Sequence, residues 1–119
     1  MQNIHSLKHL PSQYAIDLIA DYQDQLKQNN LNYQHLLGKL KKDLNRLGFM
    51  PNADNQVWMS TRGNDYLTNP RLFNHAPLTC ICTVLSEVFK EDDLNELAEQ
   101  LPKTVLKQAL LRLNEFKLH

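Results

Sequence analysis

The residues that could do chemistry in this sequence are few, and the best candidate is the pair Cys80 and Cys82, with His75 five residues before Cys80. Thiolate and imidazole groups bind zinc, but a structural zinc site normally takes four ligands, with at least two residues between paired cysteines. Here one residue separates the cysteines, and the sequence holds no second pair. We therefore expect no metal site and no cofactor, with Cys82 in the core and Cys80 as a partly buried thiol.

Signatures of catalysis are missing as well. A cysteine nucleophile needs a neighbouring base, and Cys80 with His75 lies in no recognised family signature. Asp92 and Asp93 stand at a predicted helix start, where carboxylates accept from free amides and interact well with the helix dipole. The three glycines are scattered, so no glycine-rich loop could hold a phosphate. The sequence predicts a protein that is not an enzyme and has no catalytic residues.

Charge is distributed unevenly along the chain, although the formal net charge is zero. Residues 38–50 carry four basic side chains and one acidic side chain, and residues 103–117 have the same balance. Residues 87–99 instead carry six acidic side chains and one basic side chain. Solvated helix faces would give this pattern. A basic face that meets phosphates would also give it, as would basic and acidic faces that meet in a dimer.

The length and composition predict one domain over residues 1–119, without a linker that divides it. No apolar stretch approaches the roughly 20 residues of a membrane span. The first residues lack the charged region and apolar run of a signal peptide. We therefore expect a cytoplasmic protein that does not associate with membranes.

Helical periodicity predicts a mainly α fold with five to six helices around one core. The first helix follows Ser12, which is its expected N-cap. The second spans about residues 33–47, begins at Asn32 as its cap, and ends at Gly48, which suits a left-handed C-terminal cap. The remaining helices are expected at about residues 61–67, 77–89, 93–101 and 104–116.

After Gly48 the apolar residues no longer recur at helical spacing. Asn52-Ala53-Asp54-Asn55 has the residue types of a turn, and Gln56-Val57-Trp58-Met59-Ser60 has those of a strand. These patterns predict one short antiparallel β-hairpin near residues 49–60. Alternate side chains of a hairpin face away from the domain. Trp58 is therefore either an anchor in the core or an exposed contact residue.

Residues 33–67 resemble winged-helix regulators. The basic helix ends in Leu44-Asn45-Arg46-Leu47-Gly48-Phe49-Met50, and the turn leads into Val57-Trp58-Met59-Ser60-Thr61-Arg62-Gly63-Asn64-Asp65-Tyr66-Leu67. In those families a recognition helix ends in a Leu-x-x-x-Gly-hydrophobic step, and a hairpin wing follows. The residues that would meet DNA by this resemblance are Lys39, Lys42, Arg46, Asn52 and Asn55.

A second resemblance covers about residues 76–111. Val84-Leu85-Ser86-Glu87-Val88-Phe89, followed by Asp93-Leu94-Asn95-Glu96-Leu97-Ala98-Glu99-Gln100-Leu101-Pro102, is similar to a helical bacterial family of unknown function with a Leu-Ala-x-Gln-Leu-Pro motif. That resemblance implies no catalytic residues. The same region is also typical of a helix–turn–helix, with Asn95–Leu101 first and Thr104–Phe116 second.

Together these features favour a non-catalytic interaction module, a regulatory or adaptor domain that binds another protein or forms a homodimer. The residues expected on its interaction surface are Trp58, Glu91, Asp92, Glu96 and Glu99. The alternative is a winged-helix-like regulator that binds double-stranded DNA through the helix at 33–47 and the hairpin at 49–60.

Overall fold

The computed structural model describes residues 13–50 and 54–116, and the prediction of a mainly α fold is confirmed. Its α-helices are α1 (Gln13–Gln25), α2 (Tyr33–Arg46), α3 (Gln56–Trp58), α4 (Asn64–Thr68), α5 (Leu78–Val88), α6 (Leu94–Gln100) and α7 (Lys103–Asn114). A π-helical turn, Met59–Gly63, joins α3 to α4, and a 3-10 helix, Pro70–His75, precedes α5. Ser12 and Asn52 lie outside the described residues. No described helix has the length and apolar content needed to cross a membrane.

Helix α2 forms because its leucines recur at helical spacing. Leu36, Leu37, Leu40 and Leu44 are all buried, and they share one face of the helix. Burial of each leucine side chain contributes roughly 1.5–3 kcal/mol. The opposite face is left to polar and charged residues, so packing of the leucines orients the basic side chains outward.

Both predicted ends of α2 are confirmed. The side-chain oxygen of Asn32 accepts a hydrogen bond from the backbone N–H of His35 at 3.1 Å. At the other end Gly48 has a φ of 81°, a left-handed conformation that side chains disfavour. The N–H of Phe49 then donates to the carbonyl of Leu44 at 3.0 Å. This is the Schellman arrangement, which satisfies a carbonyl that the helix leaves unpaired.

In the segment at residues 54–68 the chain is helical from Gln56 onward, and no strand occurs among the described residues. The predicted hairpin near 49–60 is therefore wrong. Strand propensity depends strongly on context, and here the partly buried apolar side chains recur at helical spacing. The side chains of this segment that pack on the core are Trp58, Met59, Tyr66 and Leu67. In a strand, the side chains of neighbouring residues point to opposite faces, so Trp58 and Met59 could not both pack on the core. This explains why the helical form packs better.

Local hydrogen bonds support the helical form of this segment. The Asp54 carboxylate accepts from the N–H of Gln56 at 3.1 Å, at the start of α3. The hydroxyls of Ser60 and Thr61 both donate to the carbonyl of Val57, at 2.9 and 3.0 Å. Asp54 thus closes a turn directly before α3, and the two hydroxyls bond back to the preceding helical turn.

Helix α6 packs along α2 in the opposite direction. Asp92, which precedes α6, pairs with Lys41 in the second half of α2. Leu101, which follows α6, accepts a hydrogen bond at its carbonyl from the Tyr33 hydroxyl at the first residue of α2. Burial raises the pKa of Tyr33 above its ordinary value, so the hydroxyl keeps its proton and remains a donor.

Candidate interaction surface

A row of basic side chains runs along the outer face of α2. His35, Lys39, Lys42 and Arg46 are separated by four, three and four residues, which is the spacing of one helix face. All four residues are exposed. We call this set the basic row. Three of its members were predicted from the sequence. His35 was missed, although its spacing from Lys39 would have placed it in the row.

Arg46 differs from the rest of the basic row because its charge is already paired. Its guanidinium lies 3.1 Å from the Asp43 carboxylate and 5.8 Å from the centre of the Tyr14 ring. The hydroxyl of buried Tyr22 donates to the same carboxylate at 2.5 Å. That hydrogen bond, and then the one from Arg46, hold the pKa of Asp43 below its ordinary value. Arg46 therefore links α1 to α2 and is poorly placed to bind a partner.

Lys39 and Lys42 remain as uncompensated charges. Within the described part of the chain, neither forms an ion pair or a hydrogen bond, although the charge of Lys39 helps to lower the pKa of Asp43. Two lysines three residues apart on an exposed face repel each other slightly. An anionic partner would relieve that repulsion.

Two clefts open beside the ion pair between Lys41 and Asp92, whose atoms are 3.1 Å apart. The first, of about 490 Å³, lies between the basic row and α6, and Gly38 and Leu94 form its apolar part. The second, of about 480 Å³, reaches Phe89. Since Asp92 is 95% exposed, the ion pair adds little stability. Its main effect is to place the Asp92 carboxylate at the edge of the basic row.

The predicted acidic residues have different roles in the structure. Glu91 accepts from the backbone N–H of Asp93 at 3.1 Å, and Asp93 caps α6. Asp92 pairs with α2, as described above. Glu96 and Glu99 are exposed on α6 and form no ion pair in the described part of the chain. Helix α6 therefore carries two negative charges that no described residue pairs, and it packs on α2, which carries the two positive charges.

Trp58 takes part in an aromatic cluster. Its ring centre is 6.3 Å from that of Tyr66, which is 5.0 Å from that of buried Phe73. Trp58 itself is half-buried. The strongly exposed apolar residue of this segment is Val57, at 81%. The contacts of Trp58 therefore favour the anchor interpretation over the exposed-contact interpretation.

Asn55, predicted as a DNA contact, joins α3 to α5. Its backbone N–H donates at 3.3 Å to the carboxylate of Glu87, whose side chain is 5% exposed. The same carboxylate accepts from the Lys90 ammonium at 2.7 Å. Asn52, the other predicted contact in this segment, lies outside the described residues.

Both cysteines lie in α5, and His75 is the last residue of the 3-10 helix before it. Both cysteines are free thiols, and burial raises the pKa of Cys82 to about 12. The sulfur of half-buried Cys80 lies beside the Tyr66 hydroxyl, whose pKa is raised mainly by burial and also by Cys80. Among the described residues, no group of three histidine, cysteine, aspartate or glutamate side chains could hold a metal ion.

The structure contains some of the features that the two family resemblances imply. The basic helix with a glycine at its end is present, whereas no strand of a wing hairpin occurs among the residues that the structure describes. Helices α5, α6 and α7 cover the segment with the Leu-Ala-x-Gln-Leu-Pro motif. Comparison of the chain with protein-family models, with curated proteins and with solved structures finds no match, so no family is assigned.

Proposed function

We propose that this chain is a non-catalytic interaction module that pairs with a second copy of itself through the surface of α2 and α6. One observation supports the proposal: the helix with Lys39 and Lys42 packs on the helix with Glu96 and Glu99, and none of these four side chains forms an ion pair with another described residue. A two-fold axis through such a surface brings the basic helix of each copy to the acidic helix of the other.

The surface between α2 and α6 allows a second copy of the chain to approach closely. Gly38 has no side chain, and Leu94 beside it is 38% exposed, which gives an apolar centre within a charged border. Protein interfaces commonly have this arrangement. Because the net charge of the chain is zero, two copies approach without long-range repulsion. Glu91 and Trp58 stay outside the proposed surface because their side chains already make intramolecular contacts.

Charge-reversal variants test this proposal. Lys39→Glu with Lys42→Glu makes both helices acidic, and Glu96→Lys with Glu99→Lys makes both basic. We expect each double variant to weaken the dimer about tenfold or more. The fourfold variant restores opposite charges and should recover the dimer. Sedimentation velocity over a range of protein concentrations measures the dissociation constant, and high salt should weaken the wild-type dimer.

The matched control is Lys103→Glu with Lys107→Glu. These lysines are exposed on α7, and the substitutions change the net charge by the same amount as those on α2. The control should therefore dimerise nearly as well as the wild type. The proposal fails if the wild type is a monomer at every usable concentration, or if the control loses the dimer as strongly as the α2 variant.

Binding to double-stranded DNA is the second candidate function, and the exposure of Lys39 and Lys42 supports it. It has less support because Arg46 is paired with Asp43 and because Asp92 stands at the edge of the same surface. Titration of labelled duplex DNA at low salt separates the two candidates. Binding that disappears in the Lys39→Glu, Lys42→Glu variant, together with a monomeric wild type, would favour DNA binding over dimerisation.

A further inference from the structure

We infer that a second binding site lies in the cleft between the π-helical turn and α5, and that it takes an uncharged ligand with an amide group beside an aliphatic side chain. A short peptide segment has this chemistry. The site is separate from the dimer surface proposed above, because none of the four charged residues of that surface lines the cleft. It could therefore hold if the dimer proposal failed.

The cleft has the size and floor of a ligand site. Its volume is about 480 Å³, within the roughly 300–1,000 Å³ typical of small-ligand pockets. Met59 from the π-helical turn, Leu67 from α4 and Val88 from α5 form its apolar part. Three separate elements therefore converge on a surface that can receive an aliphatic group.

The backbone beside the cleft has an uncommon form. A π-helical turn is rare and is found frequently at functional sites. Here the turn supplies two lining residues, Met59 and Ser60. A Cβ at position 63, the last residue of the turn, would lie 2.5 Å from the sulfur of Met59. Glycine at this position therefore lets the Met59 side chain lie back against the turn and form the floor.

The polar part of the cleft consists mainly of side-chain amides. Gln56, Asn64 and Gln100 line it from three different helices. None of their side chains is hydrogen-bonded to another described residue. Each amide offers two donors and one acceptor, which is the complement of the donor and acceptor on a peptide group. They are therefore available to a ligand that carries an amide.

Charge and ring chemistry narrow the class of ligand. None of the described residues that line the cleft is basic, and its acidic residue, Glu87, is paired with Lys90. An anionic ligand such as a phosphate would therefore lack a compensating charge. The described lining contains no aromatic side chain either, so a nucleobase would lack a stacking partner among these residues. A neutral aliphatic amide fits all of these conditions.

Amide NMR shifts of the isotope-labelled full chain test this inference. The probe is N-acetyl-leucinamide, titrated to about 10 mM because a ligand of this size reaches at most millimolar affinity here. We expect saturable shifts at Met59, Asn64 and Gln100. N-acetyl-leucine, which has a charged carboxylate in place of the terminal carboxamide, and N-acetyl-glycinamide, which lacks the aliphatic group, should each bind at least about fivefold more weakly.

Variants show whether the amides carry the binding. Asn64→Leu and Gln100→Met remove an amide and keep similar bulk, and each should weaken the probe about fivefold. Gln28→Met removes an exposed amide after α1, away from the cleft, and should bind as the wild type does. The inference is overturned if no saturable shifts occur at the cleft, if either comparison compound binds as well as the probe, or if both amide variants bind as the wild type does.

Discussion

Helix α2 and the segment at residues 54–68 differ in how far local sequence agrees with tertiary packing. In α2 the leucine spacing, the Asn32 cap and the Gly48 cap all favour the same helix, and the structure has that helix. In the second segment the strand-forming types around Trp58 conflict with the spacing of the residues that pack inward. The comparison teaches that local signals are reliable where they agree, and that packing decides where they conflict.

The three glycines of these two regions differ in how strictly the structure requires a glycine at each position. Gly48 and Gly63 each meet a requirement of the backbone or of packing: a positive φ at the end of α2, and a close approach within the π-helical turn. Gly38, in the middle of α2, meets neither requirement. The same substitution, glycine to alanine, should therefore have different effects at the three positions.

Gly63→Ala should have the largest effect. The new methyl group would lie 2.5 Å from the sulfur of Met59 and 2.8 Å from Cζ3 of Trp58, so both side chains must move. Overpacking of this kind costs about 1–3 kcal/mol. Urea unfolding measures the loss, and fluorescence of Trp58, the single tryptophan, reports the local change. An unfolding free energy equal to that of the wild type would show that the turn does not depend on glycine.

Gly48→Ala should destabilise the protein by about 1–2 kcal/mol, because a side chain at a positive φ meets the following carbonyl oxygen. The effect tests the cap of α2 and leaves the π-helical turn intact. The fluorescence of Trp58 in the folded state should therefore match that of the wild type. Chemical unfolding gives the change in free energy. A gain in stability would mean that the chain after α2 adopts another conformation.

Tyr22→Phe should cost about 1 kcal/mol at neutral pH, because Asp43 loses a hydrogen bond. The folded state lowers the pKa of Asp43, so its contribution is present above the ordinary carboxyl pKa and is lost as the pH falls through the lowered value. The difference between variant and wild type should therefore shrink below about pH 4.

High pH should also reduce the stabilising contribution of the hydrogen bond between Tyr22 and Asp43. The folded state raises the pKa of Tyr22, first through burial and then through Asp43. The neutral hydroxyl thus stabilises the fold below the ordinary tyrosine pKa, and this contribution is lost as the pH rises above about 10. Tyr14→Phe is the control, since the exposed Tyr14 hydroxyl has one long contact of 3.4 Å with Arg46. A pH-independent cost for Tyr22→Phe would contradict the role of Asp43.

Gly38→Ala should have the smallest effect and the opposite sign. The nearest atom to the new methyl group would be a Leu94 methyl carbon at 3.8 Å, an ordinary contact. Alanine is favoured over glycine inside a helix by about 0.5–1 kcal/mol. We therefore expect a higher melting temperature. A loss of stability would show that α6 needs a closer approach to α2 than the structure indicates.

The sequence predicted most of the helices because their apolar residues recur at helical spacing, and because Asn32 and Asp93 cap two of them. It failed at the predicted hairpin, up to residue 60, since a five-residue window around Trp58 could not include the return of apolar positions at Tyr66 and Leu67. The helix expected at about residues 61–67 does occur, as part of the π-helical turn and α4. Reading the pattern across Gly63 would have favoured a helix. The π-helical turn itself has no sequence signature of comparable strength.

The candidate surface was predicted in part. The exposed positions of Lys39, Lys42, Glu96 and Glu99 follow from helical spacing alone. The pairing of Arg46 with Asp43, three residues earlier on α2, also follows from helical spacing. The hydrogen bond from Tyr22 to Asp43 and the pairing of Lys41 with Asp92 could not be predicted in the same way, because each joins two different parts of the fold, the second across 51 positions. Only the packing of the helices decides which charges remain available to a partner.

The hydrogen bond from Tyr33 to the Leu101 carbonyl has a consequence for local opening. It joins the first residue of α2 to the end of α6, 68 positions later, and Pro102 follows directly, so the chain continues there without a backbone N–H. Fraying of α2 at its start therefore releases the end of α6 as well. We expect the backbone amides of Leu37 and Leu101 to exchange with solvent deuterium through one shared opening event, with closely similar free energies.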